Sequence, residues 1–195
     1  MSQSPLLPCD RMDKLFGLPA HPLFVHIPIV LLPLAALGVI VMAIKPAWHQ
    51  RYRWAVLALG TAGTIGVVLA AQAGEQLGKR VNDVQGAKAA SIWRHHRNLG
   101  ETARNFGLLF FVLLAAFVLL PWWMERRAAQ TTSGQTTRAS TSAPATNGPR
   151  DRWLRIAVTA LAIAGAAVSV VTITQAGHSG SDTVWKDYVR STNGG

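Results

Sequence analysis

Four apolar blocks constrain this 195-residue chain more than any other feature: Leu23–Ile44, Trp54–Ala73, Phe106–Trp123 and Leu154–Ala176. None contains Asp, Glu or Lys, and Arg155 near the edge of the last is the single Arg among them. Each block approaches the roughly 20 residues a helix needs to cross the hydrocarbon core of a bilayer. In lipid every backbone N–H and C=O must be bonded within the protein, so only helices or closed barrels span it. These blocks are long and unbroken, whereas barrel strands are short and alternate. A soluble bundle with very apolar core helices is the alternative, but four uninterrupted blocks of this length are rare in soluble chains. Only 14% of the residues are charged, which is also low for a soluble domain. The sequence therefore predicts an all-α fold, a four-helix transmembrane bundle forming one domain over residues 21–189. Short tails at 1–20 and 190–195 flank it.

The flanks agree with membrane insertion. Trp48 and Trp54 bracket the first connection, and Trp122, Trp123 and Trp153 bracket the third. Tryptophan favours the headgroup level because its ring is half apolar and half polar. Gly60, Gly63 and Gly66 in the second block, and Gly165 and Ser169 in the fourth, permit close helix approach. The N-terminus lacks the basic and apolar regions of a signal peptide. Cys9 is the only cysteine, so no intramolecular disulfide can form.

Four spans place both termini on one side. The first connection, Lys45–Arg53, has three basic residues and no acid; the third, Met124–Trp153, has five basic residues and two acids. Lys and Arg density near span ends marks the cytoplasmic side, so the termini are expected outside a bacterial cytoplasmic membrane. The net charge of +10 fits these flanks and an anionic lipid surface. No motif supports nucleic-acid binding. The third connection includes a stretch, 128–149, rich in Thr, Ser and Ala that reads as a disordered linker. Gln72-Ala73-Gly74 and Gln175-Ala176-Gly177 close the second and fourth blocks, hinting at two duplicated helical hairpins.

Five of the six histidines, His21, His26, His95, His96 and His178, lie on the side of the termini, at or near the ends of three blocks. An ionisable side chain at a membrane span is costly unless partnered, and so marks a candidate site. His21 and His26 are five residues apart, roughly 140° around a helix, so at most one faces a shared ligand. His26, the deeper, is the first choice, set against a histidine bonded to a carbonyl freed by Pro28 or Pro33. Ile92, His96, Leu99, Ala103, Phe106 and Phe110 form one helical stripe, which turns His96 inward and leaves His95 at the interface. Gly100, one turn on, leaves room for a flat ligand. Gly177 is expected to end the last helix, with His178 held there in reserve or simply placed at the favourable end of the helix dipole.

Zinc prefers four closed ligands, and copper usually recruits Cys or Met. A b-type haem needs only two axial histidines from facing helices, so His26 and His96 are expected to bind haem b iron. Gly100, Gly177 and His178 complete the candidate cofactor site, and a quinone pocket is compatible with the same layout. No nucleophile with an activating base points to a hydrolase.

His21-Pro22-Leu23-Phe24-Val25-His26-Ile27-Pro28-Ile29 resembles the H-P-x-x-V-H-F-P-I opening of an uncharacterised family of small four-span bacterial membrane proteins. His96-Arg97-Asn98-Leu99-Gly100 is similar to the H-R-x-L-G element of related membrane domains attached to c-type cytochromes. Gly177-His178-Ser179-Gly180 resembles their G-H-x-G-G closing motif, with Ser181 in place of the second glycine. The resemblance runs from His21 to about Val189. Family members occur beside or fused to Rieske iron–sulfur domains, which implies membrane electron transfer with a Rieske-type or cytochrome partner on a separate chain. The competing expectation is a non-redox membrane scaffold whose histidines are structural.

Overall fold

The computed structural model describes residues 14–15, 18–85, 87–133 and 149–193. A two-residue antiparallel ladder, β1 (Lys14–Leu15) against β2 (Leu18–Pro19), leads into four helices. These are α1 (Ala20–Ile44), α2 (Pro46–Gln85), α3 (Ala87–Ser133) and α4 (Pro149–Asn193). Pro46 and Pro149 each open a helix, where a missing N–H leaves no bond unmade. α1 packs chiefly on α2 and α3 on α4, and the α2–α3 and α1–α4 contacts close the bundle.

All four helices contain a stretch long and apolar enough to cross a membrane: Ala20–Ile44, Pro46–Lys79, Trp93–Met124 and Arg152–Asp182. α2, α3 and α4 run 40, 47 and 45 residues, well beyond the roughly 20 that lipid requires. The sequence reading closed the second apolar block with Gly74 and ended the last helix at Gly177. Both helices continue, α4 through Gly177 and Gly180 as far as Asn193. A glycine inside a helix costs about 1 kcal/mol, which ends an isolated helix but not one held by neighbours. The helical termini also enter segments read as linker and tail: α3 reaches Ser133 and α4 begins at Pro149. Residues 134–148 of the expected linker lie outside the described residues.

The core explains why lipid is the solvent. Leu32, Ala35, Val39, Phe110, Leu114, Val118 and Ala162 are fully buried. Leu23, Val30, Leu37, Ile65, Val112, Leu161 and Val171 are at least half exposed, and these large outward side chains come from all four helices. In water that girdle would be a large aggregation-prone surface. The inward positions are often small. A Cβ added at Gly63 would sit 2.8 Å from Leu32 Cγ, and one at Gly66 only 2.5 Å from Ile27 Cγ2. Small residues inside and large ones outside are the pattern of helices packed in lipid, where close backbone approach replaces hydrophobic collapse.

The burial pattern also repeats. A shift of 75 residues, the interval from His21 to His96, carries buried Pro28, Leu32, Ala35, Val39 and Met42 of α1 onto buried Ala103, Gly107, Phe110, Leu114 and Phe117 of α3. A shift of 103 carries buried Gly63, Gly66 and Ala70 of α2 onto buried Ala166, Ser169 and Ile173 of α4. The two hairpins thus share part of an inner-face pattern, although buried Thr64 and Gly165 fall opposite exposed Ala167 and Ala62.

At the rim formed by the first and third connections, aromatic rings carry basic partners. Lys45 lies 5.0 Å from the Trp48 ring, Arg53 5.7 Å from Trp54, Arg126 4.2 Å from Trp122 and Arg127 3.4 Å from Trp123. Trp54 and Trp122 meet edge-on at 5.8 Å. This collar is the aromatic belt that the Trp flanks predict.

Candidate functional site

At the opposite rim the structure brings His21 and His96 together, with ring centres 6.0 Å apart and ring planes at 82°. The phase of each helix puts them there. His21 lies seven residues before buried Pro28, and His96 seven before buried Ala103. Seven residues are nearly two full turns, so each histidine falls on its helix's inner face. His26 lies two residues before Pro28, on the far side of the same helix. It is exposed, and its Nδ1 is 2.6 Å from the carbonyl oxygen of Pro22 one turn back. The structure therefore pairs His96 with His21 and not with His26.

Both facing rings are oriented by hydrogen bonds between helices. His21 Nδ1 is 2.8 Å from the carbonyl oxygen of Ala70 on α2, which can only accept, so Nδ1 carries the hydrogen. His96 Nδ1 is 2.9 Å from Ser179 Oγ on α4. Ser179 donates its own hydrogen to the carbonyl of Ala176 at 2.9 Å, leaving its oxygen to accept from His96. In the neutral rings both hydrogens are thus assigned to Nδ1, and both Nε2 atoms keep a lone pair. Glycines seat the rings. A Cβ at Gly74 would lie 2.8 Å from His21 Nδ1, and one at Gly180 would lie 3.0 Å from His96 Cε1. Trp93 stands beside His96, with ring centres 6.2 Å apart.

The pair opens onto a cavity of about 290 Å³ between α2 and α3. Gly78 and Gly100 line it, and a Cβ at either position would meet nothing within 4 Å. Arg97 crosses the cavity wall, with Nε 2.9 Å from Glu101 and Nη2 3.7 Å from Glu75, tying α3 to α2. Lys79, Arg94 and Arg104 also line the cavity and form no ion pair among the described residues.

The remaining sequence candidates fall elsewhere. His178 is exposed and 3.7 Å from Asp182 one turn on, while Gly177 faces Ile29, with a Cβ there 3.7 Å from Ile29 Cδ1. His95 is exposed, as the stripe predicts. Phe106, on that same stripe, is 36% exposed, so the inner face of α3 runs through Gly107 and Phe110 instead. His49 belongs to the other rim, stacked edge-on with Phe117 at 5.2 Å. Ser179 and Gly74 were not singled out by sequence as seats for the rings, and Gly180 entered only through the closing motif and the space a glycine leaves. The signal that could have found them is the seven-residue phase linking His21 to Pro28 and His96 to Ala103. Among the described residues no group of three His, Cys, Asp or Glu side chains could hold a metal ion alone.

Four membrane-length helices with an apolar girdle, small core residues and an aromatic collar define a multi-pass membrane protein. The chain belongs to the family described as "Predicted membrane protein (DUF2231)", whose model matches residues 17–193. No curated protein and no solved structure matches it.

Proposed function

We propose that this protein is a b-haem-binding electron-transfer component of a bacterial cytoplasmic membrane, with His21 and His96 as the axial pair. The observation that carries the reading is the meeting of two equivalent histidines, one from each hairpin. Both rings leave Nε2 free, and their centres are 6.0 Å apart. Two metal–nitrogen bonds of about 2 Å each separate imidazole ring centres by roughly 6 Å, so the spacing suits two ligands of one metal atom. Donation of the other ring nitrogen to a carbonyl or hydroxyl is how ligating histidines are usually fixed. The haem supplies one-electron chemistry when bound. The chain's own part is to hold the two rings, through Ala70 and Ser179, and to leave space at Gly78 and Gly100. Electrons would come from or pass to a Rieske-type or cytochrome protein, or a quinone. The basic aromatic collar would face the cytoplasm, with the histidine rim outside.

The test is the visible spectrum of the purified protein with haem added, oxidised and then reduced. Low-spin b-haem bands are expected in the wild type and in His26→Ala, and their loss in His21→Ala and His96→Ala with helix content retained. A colourless wild type, or a spectrum that depends on His26 but not His21, overturns it. One observation favours a second reading, a non-redox scaffold: the His21–Ala70 and His96–Ser179 bonds already tie helices together. On that reading the same substitutions lower stability and no spectrum exists to lose.

A further inference from the structure

The cavity beside the histidine pair carries cations that form no ion pair among the described residues. Arg97 is neutralised by Glu75 and Glu101. Lys79 and Arg94 have no such partner among the described residues. Lys79 on α2 and Arg94 on α3 line the same cavity. Arg104 is ten residues farther along α3, about 15 Å away at the helical rise, too far to share one edge of a ligand with Arg94.

Glycine use separates this region from the rest of the bundle. Deeper in the membrane Gly63 and Gly66 are met closely by side chains of α1. At the rim, Gly78 and Gly100 face open space. The first pair packs helices together; the second leaves a gap that a side chain would begin to fill. The same gap is lined by two imidazoles whose Nδ1 atoms carry the hydrogen-bonded proton and by Lys79 and Arg94. A ligand that uses all four groups carries a metal at one position and carboxylates at its edge. Arg and Lys bind carboxylates through short charge-assisted hydrogen bonds, with Arg adding a two-pronged geometry.

We infer that Lys79 and Arg94 form a carboxylate clamp that holds the propionates of a haem in the α2–α3 cavity. The inference rests on the haem reading above and adds to it an orientation: propionates toward the cation pair, macrocycle inward beside the two histidines.

The experiment compares binding of haem b with that of its dimethyl ester, which keeps the iron and macrocycle but lacks the carboxylate charges. Full-length protein in neutral-lipid nanodiscs is titrated with each, followed by absorbance. The wild type is expected to prefer haem b by about tenfold or more, in keeping with two lost charge-assisted bonds. Lys79→Gln combined with Arg94→Gln should bring the preference close to one, leaving affinity for the ester and helix content unchanged. Arg104→Gln should retain the preference. Equal binding of the two macrocycles by the wild type, or an undiminished preference in the double variant, overturns the clamp while leaving the axial pair standing. Failure of the wild type to bind either macrocycle overturns both.

Discussion

Two glycines one turn apart on α2 offer a sharp test of how the histidine rim is built. Gly74→Ala places a methyl group 2.8 Å from His21 Nδ1 and 2.9 Å from its Cε1. Gly78→Ala places one where nothing lies within 4 Å. Both substitutions gain about 1 kcal/mol of helix propensity. At Gly78 nothing opposes that gain. At Gly74 the imidazole must move, forfeiting its 2.8 Å bond to Ala70, worth about 1 kcal/mol, with a further ~1–3 kcal/mol for overpacking. Gly74→Ala should therefore be destabilised by about 1–3 kcal/mol, and the two variants should differ by about 2–4 kcal/mol. At about 2–4 °C per kcal/mol for a chain of this length, Gly78→Ala melts a few degrees above the wild type and Gly74→Ala several degrees below. Far-UV circular dichroism in detergent micelles reads both. A Gly74→Ala protein as stable as Gly78→Ala would refute the packing of His21 against α2.

Ser169 is fully buried in α4, and its Oγ has no hydrogen-bond partner among the described residues. Ser169→Ala should be neutral or stabilising by about 1 kcal/mol in the same melt, because it removes an unsatisfied buried hydroxyl; a clear loss of stability would reveal an essential bond there. Ser179→Ala removes the acceptor of His96 Nδ1–H and should lower stability by about 1 kcal/mol, whereas Ser181→Ala, which makes no such bond, should leave the midpoint unmoved; equal effects would deny Ser179 its role. For orientation, cysteines placed within 134–148 of a Cys9→Ser protein should resist an impermeant thiol reagent in intact cells if, as proposed, the basic collar faces the cytoplasm; ready labelling there inverts the proposed topology.

The bundle was legible because lipid imposes a one-dimensional rule. An apolar segment of about 20 residues that crosses lipid must bond its own backbone as a helix, so four such segments announced four helices. Their inward faces were partly legible too: His96 lies inside and His95 outside, as the stripe requires. Depth was a poor guide at the first span, where it favoured His26 over His21. Helical phase was the better one, since His21 stands seven residues before buried Pro28 and His26 only two. The duplication was faint in residue identity, resting on Gln-Ala-Gly alone, because equivalent core positions need only be apolar or small: Leu32 answers to Gly107, and Ala35 to Phe110.

By itself, then, the sequence determined that the chain spans a membrane four times, that histidines gather at one rim, and that basic aromatic residues gather at the other. These follow from local composition, which the bilayer reads segment by segment. Tertiary structure decided which histidines meet, that α4 runs on through Gly177, and that Gly74 and Gly180 seat imidazoles while Gly78 and Gly100 leave a gap. Those outcomes depend on the rotation and register of one helix against another. The same residue type packs tightly or lines a cavity according to what the neighbouring helix presents, and no segment carries that information alone.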